Sequence, residues 1–373
     1  MNQSTQSEYI LEVEGLRKYF PLSRGLIGTL RNLPRRAVHA VDDVTFKLGR
    51  GEILALVGES GCGKTTAALT LLGLLKSSAG SVRFNGEEVT DLGERPVAKP
   101  KTSIASLNGQ TFRREPSIFP SLTLKRLRRQ VQMVFQDPYE SLNPRATVFE
   151  TVAEPLEVHG LAATREEKVA KVTQALDDAG LKPPEVFMSR LPHELSGGQR
   201  QRVVIAAALV LEPILLLADE PVSMLDVSIR AEILNLLDDL RRRRGISIIY
   251  ITHDLGTAAY FTDRIAVMYL GRIVEIGPTR QVLEAPRHPY TKALLSVIPV
   301  PNPRLRRQRM ILKGETPNPV DLASGCRFHP RCPEAIPECR KIDPQLQQVA
   351  PAHAAACIRV PGYSFTARAD GSS

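Results

Sequence analysis

Gly58-Glu59-Ser60-Gly61-Cys62-Gly63-Lys64-Thr65 constrains this chain more than any other stretch. The octet fits G-x-x-x-x-G-K-[ST], and its flanks supply the context that pattern requires. Before it, Ile53 to Val57 is unbroken and apolar, as in a strand buried on both faces. After it, residues 65–75 predict a helix. Glycines let such a loop curl until its N–H groups converge on phosphate oxygens. The positive end of the following helix points to the same place. Lys64 is expected to reach the phosphates and the Thr65 hydroxyl to bind Mg²⁺. Gly58, Ser60, Gly61, Gly63 and Thr66 complete the predicted cradle. Cys62 reads as a small side chain filling the loop.

Around this loop the pattern alternates between strand and helix. Residues 9–20 and 41–48 alternate as strands, and Asn85-Gly86 marks a hairpin within 81–90. Further strands are predicted at 131–135, 214–218 and 246–252, and a hairpin over 264–277. Helices are predicted at 123–130, through 148–191, at 198–211, at 227–244 and after His253. This succession implies an α/β fold with a largely parallel sheet. Residues 92–122 hold Pro, Ser, Lys and Arg without periodicity and read as an exposed, flexible insertion. Beyond residue 299 proline density rises, which places a domain boundary there.

Two further clusters carry chemistry. Ile214 to Ala218 is an apolar run that ends in Asp219-Glu220. At a strand tip beside a phosphate loop, Asp219 is expected to hold Mg²⁺ and Glu220 to polarise an attacking water. Leu195-Ser196-Gly197-Gly198-Gln199 opens a predicted helix and forms a second anion-binding surface. One γ-phosphate does not need two such surfaces within one chain. Two chains facing each other do.

With that pentapeptide the sequence resembles the ABC ATPases. The resemblance implies a P-loop ABC core with an antiparallel β subdomain and an α-helical subdomain over 148–195, the whole cassette running from 8 to 298. It implies ATP as cofactor, with Ser196, Gly197, Gly198 and Gln199 closing a partner's site. By the same resemblance Gln136 contacts Mg²⁺ and water, Asp226 ends the D-loop motif Ser223-Met224-Leu225-Asp226, and His253 senses the γ-phosphate. Met224 departs from the alanine usual in the family. Glu220, His253, Lys64 and Gln136 form the expected catalytic set, and Thr65, Gln136 and Asp219 the Mg²⁺ set. Phe20 or Tyr19 is expected to stack on adenine, a core role for either remaining an alternative.

The resemblance narrows at Phe135 to Arg145, at Pro192-His193-Glu194 and at His288-Pro289-Tyr290-Thr291, which look like the oligopeptide/dipeptide importer branch and its second, F-type ATPase. Relatives in that branch move peptides, glutathione, nickel chelates and opines. The branch also carries a C-terminal extension, here 299–360. Four of the five cysteines lie in it: Cys326, Cys332, Cys339 and Cys357. Their convergence suits a [4Fe–4S] cluster or Zn²⁺, with buried free thiols as the remaining reading.

The resemblance further implies a second ABC ATPase as partner, a related chain rather than a copy, two transmembrane permease subunits and an extracytoplasmic solute-binding protein. The chain is expected to sit peripherally on the cytoplasmic face of the cell membrane. Consistently, it has no apolar run long enough to span a bilayer and no secretion signal at its start. Its net charge of +9 suits anionic headgroups. The basic residues are scattered, without interleaved aromatics, so nucleic acid is not expected as a partner. The other readings are a soluble ABC-type ATPase acting on ribosome or DNA, and a nucleotide-binding module without turnover. The single cassette without a coiled coil argues against the first. The full set Lys64, Asp219, Glu220 and His253 argues against the second.

Overall fold

Strand β3 (Ile53–Val57) is wholly buried and feeds two cores at once. Ile53, Ala55 and Val57 face one hydrophobic cluster, Leu54 and Leu56 the other. That is the period-two alternation of a strand at the centre of a layered α/β domain. Each such fully buried leucine contributes about 2 kcal/mol.

The computed structural model describes residues 8–22, 36–90, 122–298, 310–312 and 314–364. The expected insertion at 92–122 lies outside them save for Leu122, as do residues 299–309.

Two sheets organise the chain. The first is antiparallel, ordered β2-β1-β4-β5, from β1 (Tyr9–Pro21), β2 (Ala37–Gly49), β4 (Ala79–Phe84) and β5 (Glu87–Glu88). Its β4–β5 hairpin turns at Asn85 and Gly86, both with positive φ, as the sequence predicts. The second has eight strands, ordered β11-β12-β10-β9-β3-β8-β7-β6. Within it β6 (Val131–Val134), β7 (Leu215–Asp219), β8 (Ser247–Thr252), β3 and β9 (Arg264–Tyr269) run parallel. Strand β10 (Arg272–Pro278) returns antiparallel.

The helices follow this order. Helix α1 (Lys64–Leu71) follows β3 and is shorter than the predicted 65–75, ending at Leu71. Helices α2 (Leu122–Gln130) and α3 (Pro138–Ser141) flank β6. The long helical stretch of the sequence resolves into α4 (Val148–His159), α5 (Arg165–Asp178) and α6 (Pro184–Met188). Thr147 and Glu150 cap α4 reciprocally, and Gly160 closes it at φ 67. Then come α7 (Gly197–Leu209), α8 (Val227–Arg244), α9 (Leu255–Phe261), α10 (Thr279–Glu284) and α11 (Pro289–Ser296). Among the described residues no helix is long and apolar enough to cross a membrane.

The C-terminal segment does not build a sheet of its own. Strands β11 (Gln347–Ala350) and β12 (His353–Ala355) extend the eight-stranded sheet, β12 pairing with β10. Glu275, fully buried on β10, ties the junction. Its carboxylate accepts hydrogen bonds from the N–H groups of Arg287 (2.7 Å) and His288 (2.8 Å) and lies 2.8 Å from His353 Nε2.

Candidate active site

Four loops leave the carboxyl ends of four adjacent parallel strands. Val57 pairs with Thr252, Asp219 with Ile251 and Val134 with Ala218. That register sets the Gly58–Thr65 loop, His253, Glu220 and Gln136 side by side along one edge of the sheet, where parallel α/β sheets bind ligands. They surround a cavity of about 790 Å³ together with Ser60, Gly61, Gly63, Thr65, Thr66 and Phe20.

Lys64 is 5% exposed, and its ammonium donates to the carbonyls of Gly58 (2.8 Å) and Glu59 (3.0 Å). The loop thus curls around its own lysine. Glu220 stands at the tip of β7 with φ 45, a left-handed conformation that costs a non-glycine residue about 1–3 kcal/mol. Its N–H donates to Ile251 O at 2.9 Å, which holds the turn against β8. One carboxylate oxygen lies 2.9 Å from His253 Nδ1, and the other accepts from Gln136 Nε2 at 3.3 Å.

Asp219 is 4% exposed. Burial pushes its carboxyl above the usual range, and the neighbouring Glu220 charge adds to this. The Thr65 hydroxyl, hydrogen-bonded to it, and the Lys64 ammonium oppose the shift. A buried carboxyl beside a hydroxyl and a second carboxylate is an oxygen donor set suited to a hard divalent cation, which would restore its charge. These residues therefore fit Mg²⁺.

For the aromatic, the structure separates the two candidates. Phe20 lines the cavity, whereas the Tyr19 hydroxyl donates to Asp42 and its ring packs 4.4 Å from that of His39. Cys62 is buried behind the loop, and burial raises its thiol.

Ser196, Gly197, Gly198, Gln199 and Asp226 do not line this cavity. Ser196 Oγ accepts from Gln199 N (3.3 Å) and Gln199 Oε1 from Ser196 N (3.0 Å), a capping box that squares off the start of α7. Asp226 stands at the N-terminus of α8 without a side-chain cap bond.

The four tail cysteines require a correction. Cys326, Cys332, Cys339 and Cys357 lie close enough for their charges to couple. Yet among the described residues no three His, Cys, Asp or Glu side chains are arranged to hold a metal ion. Burial first of all drives the thiols of Cys326, Cys332 and Cys357 toward the protonated form, Cys326 to about 12 and Cys332 to about 11. The clustering of four cysteines in the tail suggests ligands; the fold packs Cys339 and Cys357 inward while Cys326 and Cys332 stay half-buried.

Sequence reasoning also missed contributors from the C-terminal half. Leu294 of α11 and Pro319 line the same cavity, and Tyr290, Thr316 and Arg331 bind Glu59 within the phosphate loop. Tyr290 belongs to the His288–Thr291 stretch that marks the importer branch, and nothing in the pattern of the tail signals the other contacts.

Comparison with known proteins agrees with the geometry. Residues 41–223 match the family described as ABC transporter, and residues 274–339 match the oligopeptide/dipeptide transporter C-terminal region. The putative oligopeptide transport ATP-binding protein YkfD of Bacillus subtilis is 44% identical over 350 residues, spanning 93% of this chain and 94% of that protein. The chain belongs to the ABC transporter family. This ABC ATPase is also 41% identical over 358 residues to the oligopeptide transport ATP-binding protein AppF of Bacillus subtilis, covering 95% of this chain and 98% of that one. Among solved structures, cbiO1 from Clostridium perfringens, part of the ABC transporter complex cbiONQ, superposes with a TM-score of 0.56 at 28% identity, covering 75% of this chain and 92% of that one. The ATP-binding cassette MJ0796, solved as a dimer in a post-hydrolysis state with ADP and Pi, superposes with a TM-score of 0.55 at 26% identity, covering 72% of this chain and 99% of that one. The cofactors of an ABC ATPase are ATP and Mg²⁺, and its reaction is ATP hydrolysis.

Proposed function

We propose that this ABC ATPase energises the import of peptides or related small solutes, working at the cytoplasmic face of the membrane with two permease subunits and an extracytoplasmic solute-binding protein. Its second cassette is a related chain, so the working unit is a heterodimer. The observation that carries the reading is the split of the site. The phosphate loop, Gln136, Glu220 and His253 share one cavity, while the Ser196–Gln199 helix tip is excluded from it. Two cassettes placed head to tail bring each helix tip to the other's γ-phosphate, so nucleotide favours closure and its hydrolysis favours opening.

In this reading Phe20 holds the base. Lys64 and the loop amides neutralise the phosphates, and Thr65, Asp219 and Gln136 would hold Mg²⁺, which would supply charge screening at the phosphoryl oxygens. Glu220 orients and polarises the attacking water, and His253 fixes Glu220 and faces the γ-phosphate. The exposed apolar face of Leu74, Phe135 and Val158 beside Gln136 passes the motion to a permease subunit. The functional division is cassette 8–298, with helical subdomain 148–195, and tail 299–360. A [4Fe–4S] cluster or Zn²⁺ on the tail cysteines has no step here.

The test is disulfide trapping. Cysteines are placed at Ser196 of one cassette and in the phosphate loop of the partner ATPase, within the assembled complex and in a Glu220→Gln background. ATP is expected to drive the cross-link, with ADP ineffective. Absence of an ATP-dependent cross-link in a complex that binds ATP overturns the head-to-tail arrangement.

A further inference from the structure

Lys64 rests on the carbonyl of Glu59, so whatever holds Glu59 sets the entrance of the phosphate loop. Glu59 is held almost entirely from the C-terminal half of the chain. Its N–H donates to Tyr290 Oη at 3.0 Å. Its carboxylate takes three hydrogen bonds from the tail. Thr316 Oγ1 donates to Oε2 at 2.6 Å, and Arg331 donates through Nη1 to Oε2 (2.8 Å) and through Nη2 to Oε1 (3.2 Å).

This is not an ordinary surface ion pair. Two parallel N–H···O bonds fix the planes of both groups. The Arg331 side chain is only 8% exposed, and its guanidinium lies 5.9 Å from the ring centre of Tyr269. Tyr269, Tyr290 and Phe328 pack ring against ring below it, with centroids 4.7, 5.2 and 5.4 Å apart. Tyr290 N donates to His288 Nδ1, and His288 N donates in turn to the buried Glu275, which also lies 2.8 Å from His353 Nε2 on β12. The Glu59 carboxyl feels burial raising it, but the Arg331 and Thr316 hydrogen bonds prevail and hold it below the usual range.

A second anchor lies across the same cavity. Pro319 lines the cavity along with Phe20 and Val38, and its carbonyl accepts from His39 N at 3.1 Å. Asp321 pairs with Arg36, just before β2. Residues 316–321 thus run from the phosphate loop to the first antiparallel sheet, along the mouth of the cavity.

We propose that the C-terminal tail is part of the nucleotide site: Arg331 and Thr316 act as positioning residues that set the phosphate loop through Glu59, and Pro319 forms a wall on the Phe20 side. The proposal rests on the ATPase reading above for its nucleotide, but the loop's rigidity is measurable without it. A tail that only stabilised the fold would have no reason to end on a phosphate-loop side chain rather than on the sheet it extends.

The experiment uses the full chain with its partner ATPase and four forms: wild type, Arg331→Met, Glu59→Gln and the double variant. Asp343→Asn, which breaks a tail contact to Arg272 away from the cavity, is the control. Hydrogen–deuterium exchange of the loop amides in nucleotide-free protein is expected to quicken at least fivefold in Arg331→Met and Glu59→Gln and to stay unchanged in Asp343→Asn. Titration with the fluorescent analogue TNP-ATP is expected to show affinity about tenfold weaker in each single variant and no weaker in the double, as for two ends of one interaction. KM for ATP rises in the same proportion while kcat falls less than threefold. Unchanged loop exchange and affinity in Arg331→Met, with only a lowered Tm like that of the control, overturns the proposal. Wild-type protein that releases no phosphate overturns the ATPase reading instead, and the exchange data still decide the clamp.

Discussion

His253 Nδ1 lies 2.9 Å from Glu220 Oε1, although 33 residues separate the two in sequence. The contact exists because β7 and β8 are adjacent and parallel, so that Glu220, just after the end of β7, meets His253, just after the end of β8. Gln136, following β6, reaches the other oxygen of the same carboxylate. Replacing Glu220 by Gln keeps the shape and the hydrogen bonds but removes the charge. Nucleotide affinity is expected to stay within about threefold, while phosphate release by the assembled complex falls by about 10²–10⁴-fold, the range of a lost general base. Equilibrium binding and a phosphate-release assay check the two halves, and near-normal turnover would remove Glu220 from its role.

Gly63 and Gly61 are both in the loop, yet alanine should cost them differently. At Gly63 φ is 107, and a Cβ would stand 2.0 Å from the backbone carbonyl oxygen of Ala40. Gly61 also has positive φ, 76, but a Cβ there meets nothing within 4 Å. Gly61→Ala is expected to cost about 1–2 kcal/mol, the left-handed penalty alone. Gly63→Ala must also push β2 away from the loop. A thermal melt should show the larger loss at Gly63, with TNP-ATP binding abolished there and only weakened at Gly61.

His288 is fully buried at the N-terminus of α11, where its Nδ1 accepts from Tyr290 N at 3.1 Å. Burial lowers its pKa from 6.5 to about 4. The unfolded chain therefore binds this proton more readily than the fold does. Stability from the neutral ring is complete above pH 6.5 and drains away as pH falls from there toward 4, by about 3 kcal/mol at most. Glu275, its neighbour, is held below the usual carboxylate range despite its burial, by His353 and Thr291 and by the amides of Arg287 and His288. Its contribution is lost only at lower pH, below about 4.5. Melting curves of His288→Asn, which keeps a capping oxygen but cannot titrate, should show a flatter decline between pH 6.5 and 4.5 than wild type. An equal decline would place the acid sensitivity elsewhere.

Much of the site could be read in advance because its residues come in local words. The run Ile53 to Thr65 carries strand, turn and helix start within thirteen positions, and each obeys short-range geometry. Ser196 and Gln199 are a capping box readable from spacing alone, and the structure forms it. Less visible was the length of α1, which stops at Leu71 where Gly73 turns the chain at φ 65. The sequence leaves both Tyr19 and Phe20 open, with Phe20 aligning better to the family. Asp42, on the neighbouring strand, takes the Tyr19 hydroxyl and leaves Phe20 to the cavity.

Local periodicity, backbone demands of glycine and the order of the motifs determined by themselves the α/β cassette, its phosphate loop and the carboxylate pair at the end of β7. These depend on contacts within a few residues, which a linear pattern encodes. Only the tertiary structure decided that the tail joins the cassette's own sheet, that its four cysteines are not arranged as ligands, and that Arg331 meets Glu59 across 272 positions of chain. Such pairings depend on how the strands stack side by side, and no single segment carries that information.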